Sequence, residues 1–292
     1  MRIFVTGATG FVGSAIVKEL IGAGHQVLGL ARSEAGAQSL AAAGADLHRG
    51  SLEDLESLRS GAAKADGVIH TAFIHDFSKF EANCQTDKLA IEALGFALAG
   101  SERPLIVTSG TALLSPGRCA TEDDSVNSNF PRKSEESAFR AAAQGVRVMV
   151  VRLPPSVHGD GDHGFVPRLI GIAREKNVSA YVEDGLNRWP AVHRLDAARL
   201  YRLALEKGTA GATYHAVADE GVPFREIAQV IGRRLSVPVV SKPMAEAAGH
   251  FGFLGHFAGI DCPASSAQTQ ERLGWRVTEL SLIPDIDRPS YF

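Results

Sequence analysis

Two short stretches of this sequence concentrate groups able to steer a carbonyl or move a proton. Val107-Thr108-Ser109-Gly110-Thr111 ends an apolar run in hydroxyls, and Ser109 and Thr111 could polarise a substrate oxygen. A neutral hydroxyl is a poor acid alone, so polarisation is the expected chemistry. Hydrogen bonding to the loop backbone is the alternative, and both roles stay open. His158-Gly159-Asp160-Gly161-Asp162-His163 places two imidazoles and two carboxylates within six residues. Either His158 or His163 could donate a proton near neutral pH. The same residue types ligate metals, but so tight a spacing needs the turn to fold back on itself, and no metal is expected. The plainer account is a polar glycine turn entering a helix at Phe165, with Asp162 complementing its dipole.

A third stretch is built for binding. Ile3 to Val5 is an apolar strand, and Gly7, Gly10 and Gly13 follow before a helix over about Phe11–Ala23. Gly7 makes a tight turn, Gly10 leaves room for a pyrophosphate, and Gly13 lets the helix pack on the strand. The helix N–H groups then face the phosphates, with Thr9, Phe11 and Val12 in the same turn. The second strand ends Leu30-Ala31-Arg32-Ser33, without a carboxylate to accept from an adenosine ribose. The Arg32 guanidinium suits a 2′-phosphate, so NADP is expected ahead of NAD. Ser33 joins it or caps the next helix. Ser51 reads as a cap through Ser51-x-x-Asp54, and its backbone and that of Leu52 are expected to line the adenine pocket.

These groups need a scaffold, and the pattern supplies a doubly wound parallel α/β sheet of Rossmann type. Strands are expected at Ile3–Val5, Gln26–Leu30, Asp46–His48, Gly67–His70, Leu105–Val107 and Val146–Val151, alternating with helices, one of them long (Glu81–Ala99). Ser115 to Arg132, rich in Ser, Pro, Asn and Asp, reads as a loop over the site. Residues 1–157, rejoined by about 189–217, form the expected dinucleotide domain, while 158–188 and 218–292 form a smaller C-terminal substrate lobe. With 292 residues and 45% hydrophobic content, the chain can bury a large core. Three cysteines, a direct start in a strand and no long apolar run lead us to expect a cytoplasmic protein with reduced thiols and no membrane partner. A net charge of −3 offers no footprint for nucleic acid.

The glycine turn, Val68-Ile69-His70-Thr71-Ala72, the Ser109/Thr111 strand end, Val151-Arg152-Leu153-Pro154 with Val157-His158-Gly159, Val192-His193-x-x-Asp196-x-Ala198 and Leu273-Gly274-Trp275 together resemble the short-chain dehydrogenase/reductase superfamily. The likeness is to its extended branch of nucleotide-sugar epimerases and dihydroflavonol-type reductases, and it covers nearly the whole chain. It implies that Thr71, Ala72, Thr108, Leu153, Pro154 and Val157 line the cofactor, and that a homodimer forms through long helices. It also implies catalysis by Tyr-x-x-x-Lys, and here the sequence departs. None of its four tyrosines is followed by lysine four residues on. The tyrosine slot falls near Asn127 and the lysine slot near Pro131, or, with a small gap, Ser128, Arg132 or Lys133 enters them. The expectation is an atypical NADP-dependent oxidoreductase of a small, mostly apolar carbonyl, imine or alkene. A non-catalytic NADP-binding redox sensor and an epimerase- or dehydratase-like enzyme are the alternatives.

Overall fold

The computed structural model of the protein describes residues 1–114 and 117–292, so Ser115, where the expected loop begins, lies outside the described residues. In chain order its strands are β1 (Arg2–Thr6), β2 (Gln26–Ala31), β3 (Asp46–Arg49), β4 (Gly67–His70), β5 (Pro104–Gly110) and β6 (Arg147–Leu153). They continue as β7 (Ser156–His158), β8 (Ser179–Val182), β9 (Arg188–His193), β10 (Thr213–His215), β11 (Asp219–Pro223) and β12 (Val239–Lys242). Seven of them form one sheet in the order β10-β6-β5-β4-β1-β2-β3. Every pairing in it is parallel. The order reverses between β1 and β4, and in such sheets a crevice opens there outside the carboxyl ends of the strands.

Helices α1 (Phe11–Gly22), α2 (Glu34–Ala42), α3 (Leu55–Ala63), α4 (Phe80–Leu98) and α5 (Ser134–Ala142) alternate with the first strands. They are followed by α6 (Phe165–Lys176), α7 (Arg194–Lys207) and α8 (Phe224–Leu235). Helices α1 and α7 cover one face of the sheet, where Ile16, Leu20, Tyr201 and Trp275 are almost wholly buried. On the other face Leu58, Ile91, Leu94 and Ala138 of α3, α4 and α5 pack on Phe4, Val68 and Val107. A third apolar cluster gathers α6, α8, Trp189, Phe251 and Leu282. Strands β7, β9 and β11 form a separate three-stranded sheet, and β8 pairs with β12.

Buried polar groups fix the joints. Arg152 of β6 donates from Nε and Nη2 to the two oxygens of Glu135 on α5, each at 2.8 Å. A buried bidentate pair of this kind defines where α5 begins. Asp196 at the start of α7 accepts from the N–H groups of Thr278 and Glu279, and the Trp275 indole donates to the Asp196 carbonyl at 3.0 Å. His193 caps α7 by accepting from the Leu195 N–H. The Val-His-x-x-Asp and Leu-Gly-Trp segments are thus one structural joint. One capping expectation is corrected. Asp54, not Ser51, is the N-cap of α3, its carboxylate accepting from the Ser57 N–H at 3.0 Å, because that helix starts three residues later than a Ser51 cap requires. Ser33 does cap α2, accepting from the Gly36 N–H.

Candidate active site

The glycine turn is shaped by contacts that only missing side chains allow. Gly7 sits at φ +69°, and a Cβ there would lie 2.7 Å from Thr71 Oγ1 and 2.8 Å from the Ala72 nitrogen. A Cβ on Gly13 would lie 2.0 Å from the Gly7 carbonyl oxygen, which itself accepts from the Gly10 N–H at 2.9 Å. Thr71 Oγ1 donates to the Thr6 carbonyl, so the ends of β1 and β4 are stitched together under the turn. Gly10 begins α1 with no side-chain cap, and no acidic residue occupies the first turn. A helix start with free N–H groups and no competing carboxylate suits a phosphate, so the residues present fit a dinucleotide. Thr9 and Gly10 are exposed at this edge, Val12 is half-buried against the core, and Leu52 is buried on the other face. Arg32 is exposed and makes no ion pair or hydrogen bond among the described residues.

At the ends of β5 and β6 a different arrangement appears. Ser109 Oγ and Thr111 Oγ1 are buried and have no hydrogen-bond partner among the described residues. Unpaired buried hydroxyls are uncommon, and these two sit at the carboxyl end of β5, on the edge of the sheet where ligands bind in such folds. The Asn127 N–H donates to the Leu113 carbonyl at 3.0 Å, which holds the Asn127 segment beside this hydroxyl turn. Below it runs a buried polar chain. Thr6 Oγ1 and His70 Nδ1 are 2.9 Å apart, and His70 Nε2 lies 3.2 Å from Asp87 Oδ1. Asp87 Oδ2 accepts from Ser134 Oγ at 2.5 Å. Burial pushes the Asp87 carboxyl up, but His70, Arg132 and Ser134 outweigh it and hold it below the usual carboxylate range.

Arg132 joins this chain to the site. Its Nε donates to Ser134 Oγ at 2.9 Å and its Nη2 to the Thr108 carbonyl at 3.1 Å, with Asp87 Oδ2 3.8 Å away. Its guanidinium lies over the Phe73 ring at 4.4 Å. Nη1 has no partner among the described residues. Asp87 and Phe73 were invisible as site residues in the sequence; the one cue was the dense aromatic run Phe73-Ile-His75-Asp-Phe77-Ser-Lys-Phe80 directly after a strand. Thr108 itself faces away from solvent, Oγ1 donating to the His70 carbonyl and lying 2.7 Å from the Tyr201 hydroxyl. Burial pushes the Tyr201 hydroxyl up in pKa.

The two candidate histidines part company. His158 is fully buried, its Nδ1 2.8 Å from Asp285 Oδ2 and its Nε2 without a partner among the described residues. Asp285 is pushed up by burial but held below its usual range by His158 and Arg288. Tyr291 closes this knot, its hydroxyl accepting from the Gly159 N–H at 2.9 Å. His163 is exposed and packs edge-on against Phe11 of the glycine turn at 5.7 Å. Asp162, whose Oδ1 accepts from the Gly164 N–H, is pushed up to about 6 by burial. Leu153 pairs in register with Gly110, Pro154 is buried behind it, and Val157 pairs with Val192. Arg194 lies 4.5 Å over Phe11 and donates to Ser14 Oγ and the Asp160 carbonyl, fastening the His158–His163 loop to the start of α1. No group of three or more histidine, cysteine or carboxylate side chains is placed to hold a metal among the described residues.

Aromatic rings roof the crevice. Phe77 stacks on Phe253 at 4.8 Å and lies 6.0 Å from Phe80, which meets Phe130 at 5.8 Å. Phe165 and Phe257 close the far side at 5.0 Å from one another. No helix among the described residues is long and apolar enough to cross a membrane.

Residues 3–91 match the NAD dependent epimerase/dehydratase family. An uncharacterized protein of Schizosaccharomyces pombe is 55% identical over 295 residues, covering 100% of both chains. A 4-hydroxy-2-methyl-3-oxo-4-farnesyl-3,4-dihydroquinoline-1-oxide ketoreductase of Stigmatella aurantiaca is 28% identical across 86% of this chain and 80% of its own. The solved structure of DesIV, a dTDP-glucose 4,6-dehydratase from Streptomyces venezuelae with NAD and TYD bound, is similar with a TM-score of 0.78 at 21% identity, covering 99% of this chain and 96% of that one. That last likeness is one of fold. With the glycine turn, the parallel sheet and its switch point, these similarities make the chain a member of the NAD dependent epimerase/dehydratase family, within the extended short-chain dehydrogenases/reductases.

Proposed function

We propose that the protein is an NADP-dependent oxidoreductase that reduces a small, mostly apolar carbonyl compound, an imine or activated alkene being handled by the same site. The observation that carries this is the pair of buried, unpartnered hydroxyls of Ser109 and Thr111 beside a guanidinium, under an aromatic roof. The α1 N-terminus and the Gly7–Gly13 turn hold the pyrophosphate, and Arg32, without a side-chain partner among the described residues, takes the 2′-phosphate. Bound NADPH supplies hydride to the substrate carbon. Ser109 and Thr111 orient the substrate oxygen, and Arg132 Nη1 stabilises the charge that develops on it. That oxygen then takes a proton from His163 or solvent. His158, with its Nε2 buried, holds the loop in place unless that loop opens.

Positioning and charge stabilisation can support hydride transfer where a tyrosine acid is missing, since a general acid contributes about 10²- to 10⁴-fold of a larger total. The similarity to a ketoreductase favours carbonyl reduction over sugar chemistry. The departure from Tyr-x-x-x-Lys favours the second reading, an NADP-binding redox sensor without turnover. The test is calorimetry with NADPH and NADH, followed by NADPH consumption with a panel of aryl and alkyl ketones. Turnover of a ketone with at least tenfold preference for NADPH is the expected result. Tight NADPH binding with no turnover of any ketone selects the sensor, and absence of NADPH binding overturns both.

A further inference from the structure

An unbroken row of ring contacts crosses the roof of the site and carries a guanidinium at each end. Arg132 covers Phe73 at 4.4 Å, Phe73 meets His75 at 5.3 Å, and His75 meets Phe77 at 6.2 Å. Phe77 stacks nearly parallel on Phe253 at 4.8 Å, and Arg168 of α6 lies 5.1 Å over Phe253. None of the four phenylalanine and histidine side chains is buried, so this is a surface, not a core.

Its charges are unbalanced. Arg168 makes no ion pair or side-chain hydrogen bond among the described residues, and Arg132 keeps Nη1 free. The carboxylates on the same loops are engaged locally: Asp76 accepts from Ser78, and Asp162 from the Gly164 N–H. Enclosure and the neighbouring Arg132, then His163 and Arg168, hold His75 below its usual pKa against a backbone hydrogen bond to Phe73. Enclosure is the largest of these influences, and the charged ones come from two guanidinium groups and a second imidazole. A flat aromatic surface offers stacking, and guanidinium groups with free donors select an anion, Arg168 having no ion pair among the described residues and Arg132 keeping Nη1 open beside Asp87.

We propose that this row binds a planar aromatic acid, its ring system between Phe77 and Phe253, its carboxylate on Arg168 and its carbonyl at the Arg132 end. The proposal rests on the reductase reading for the carbonyl, but the binding of ring and carboxylate stands without it. To admit the ring, Phe77 and Phe253 must part, and each then stacks on the ligand instead of on its neighbour. Arg168 is exposed on α6, so its replacement spares the core.

The probes are 2-naphthoate, its neutral analogue 2-naphthamide, and the saturated decalin-2-carboxylate, titrated calorimetrically into the 292-residue chain with and without NADP⁺. Naphthoate should bind at least tenfold tighter than either comparison compound, in line with one charge-assisted contact plus stacking. Arg168→Gln should erase the difference between naphthoate and naphthamide, and Phe253→Leu should weaken both while leaving decalin-2-carboxylate unchanged. Equal affinity for naphthoate and naphthamide, or an unaltered preference in Arg168→Gln, overturns the proposal. NADPH affinity is measured separately. Intact NADPH binding without naphthoate selectivity removes the slot alone. Selectivity for naphthoate in a protein that fails to bind NADPH supports the slot and removes the reductase reading.

Discussion

The β1–α1 turn and the β5–β6 strand ends lie on the same edge of one sheet, yet they are built on opposite principles. In the turn, space is closed: backbone meets backbone so tightly that a methyl group on Gly13 would fall 2.0 Å from the Gly7 oxygen. At the strand ends, bonding is left open: among the described residues Ser109 Oγ, Thr111 Oγ1 and Arg132 Nη1 have no partners, while Asp87 and Ser134 beneath them are engaged. The first region can hold one kind of ligand in one way. The second is an adaptable set of donors on a fixed base, which is how one family fold accommodates many substrates.

The contrast can be broken most severely at the turn. Gly13→Ala has no room to relax, because the obstructing atom is backbone, so dinucleotide affinity should fall beyond about 100-fold with a lowered melting temperature. Gly10→Val is the companion, since a Cβ there lies a more tolerable 3.1 Å from the Gly7 oxygen. It should fold and still fail to bind NADPH; unchanged calorimetric affinity would show that the cradle is elsewhere.

Arg132→Leu tests the open region. Turnover should fall about 10²- to 10³-fold, the scale of losing a preorganised oxyanion donor, while NADPH affinity changes much less. A variant equal to wild type in kcat would remove Arg132 from the chemistry. Pairing it with Asp87→Asn separates catalysis from folding, because the double variant no longer buries an uncompensated carboxylate.

At the outer edge of the turn, Arg32→Ala should weaken NADPH by about tenfold to a hundredfold and leave NADH unaffected. Wild type binding both cofactors equally would refute the 2′-phosphate role. Replacing each tyrosine in turn by Phe should cost less than about tenfold in kcat, since Tyr201 is buried against Thr108 and Tyr291 is tied to Gly159. A drop of a thousandfold at any one of them would mean a tyrosine acid after all.

The smallest effect concerns Asp162, between the two regions. Its carboxyl is pushed up to about 6 in the folded protein from an ordinary value near 3.8. The native state therefore binds more protons than the unfolded chain between these values, and stability should decline as pH rises from about 4 to 6. Discounted for partial exposure, the loss across that range amounts to on the order of 1 kcal/mol. Asp162→Asn should flatten it in melting curves recorded across that range; an unchanged slope assigns it to other groups.

What could be read from the sequence follows the same division. The turn announces itself because steric closure restricts residue type at fixed spacing, and Gly7, Gly10 and Gly13 can be counted. The parallel sheet was legible in strands such as Gly67–His70, whose bounds coincide with β4. The chain Thr6–His70–Asp87–Ser134–Arg132 was not, because its members come from separate segments and meet only when the sheet forms. Asp87 on a long helix looks like any solvated carboxylate until it is buried. The cap at Asp54 was misassigned to Ser51 because both residues suit the role, and only the helix start decides between them.

Helix α1 is pinned to α7 at both ends, by Arg194 on Ser14 Oγ at 3.0 Å and by Arg202 on Glu19 at 2.7 Å. The free N–H groups at the start of α1 are therefore aligned before any ligand arrives. Association then spends little entropy on ordering the protein, and its rate is governed by the encounter instead of by a rearrangement. The aromatic roof is the reverse case, where Phe77 and Phe253 must separate first. The sequence of events this favours is nucleotide first and fast, second ligand later and slow.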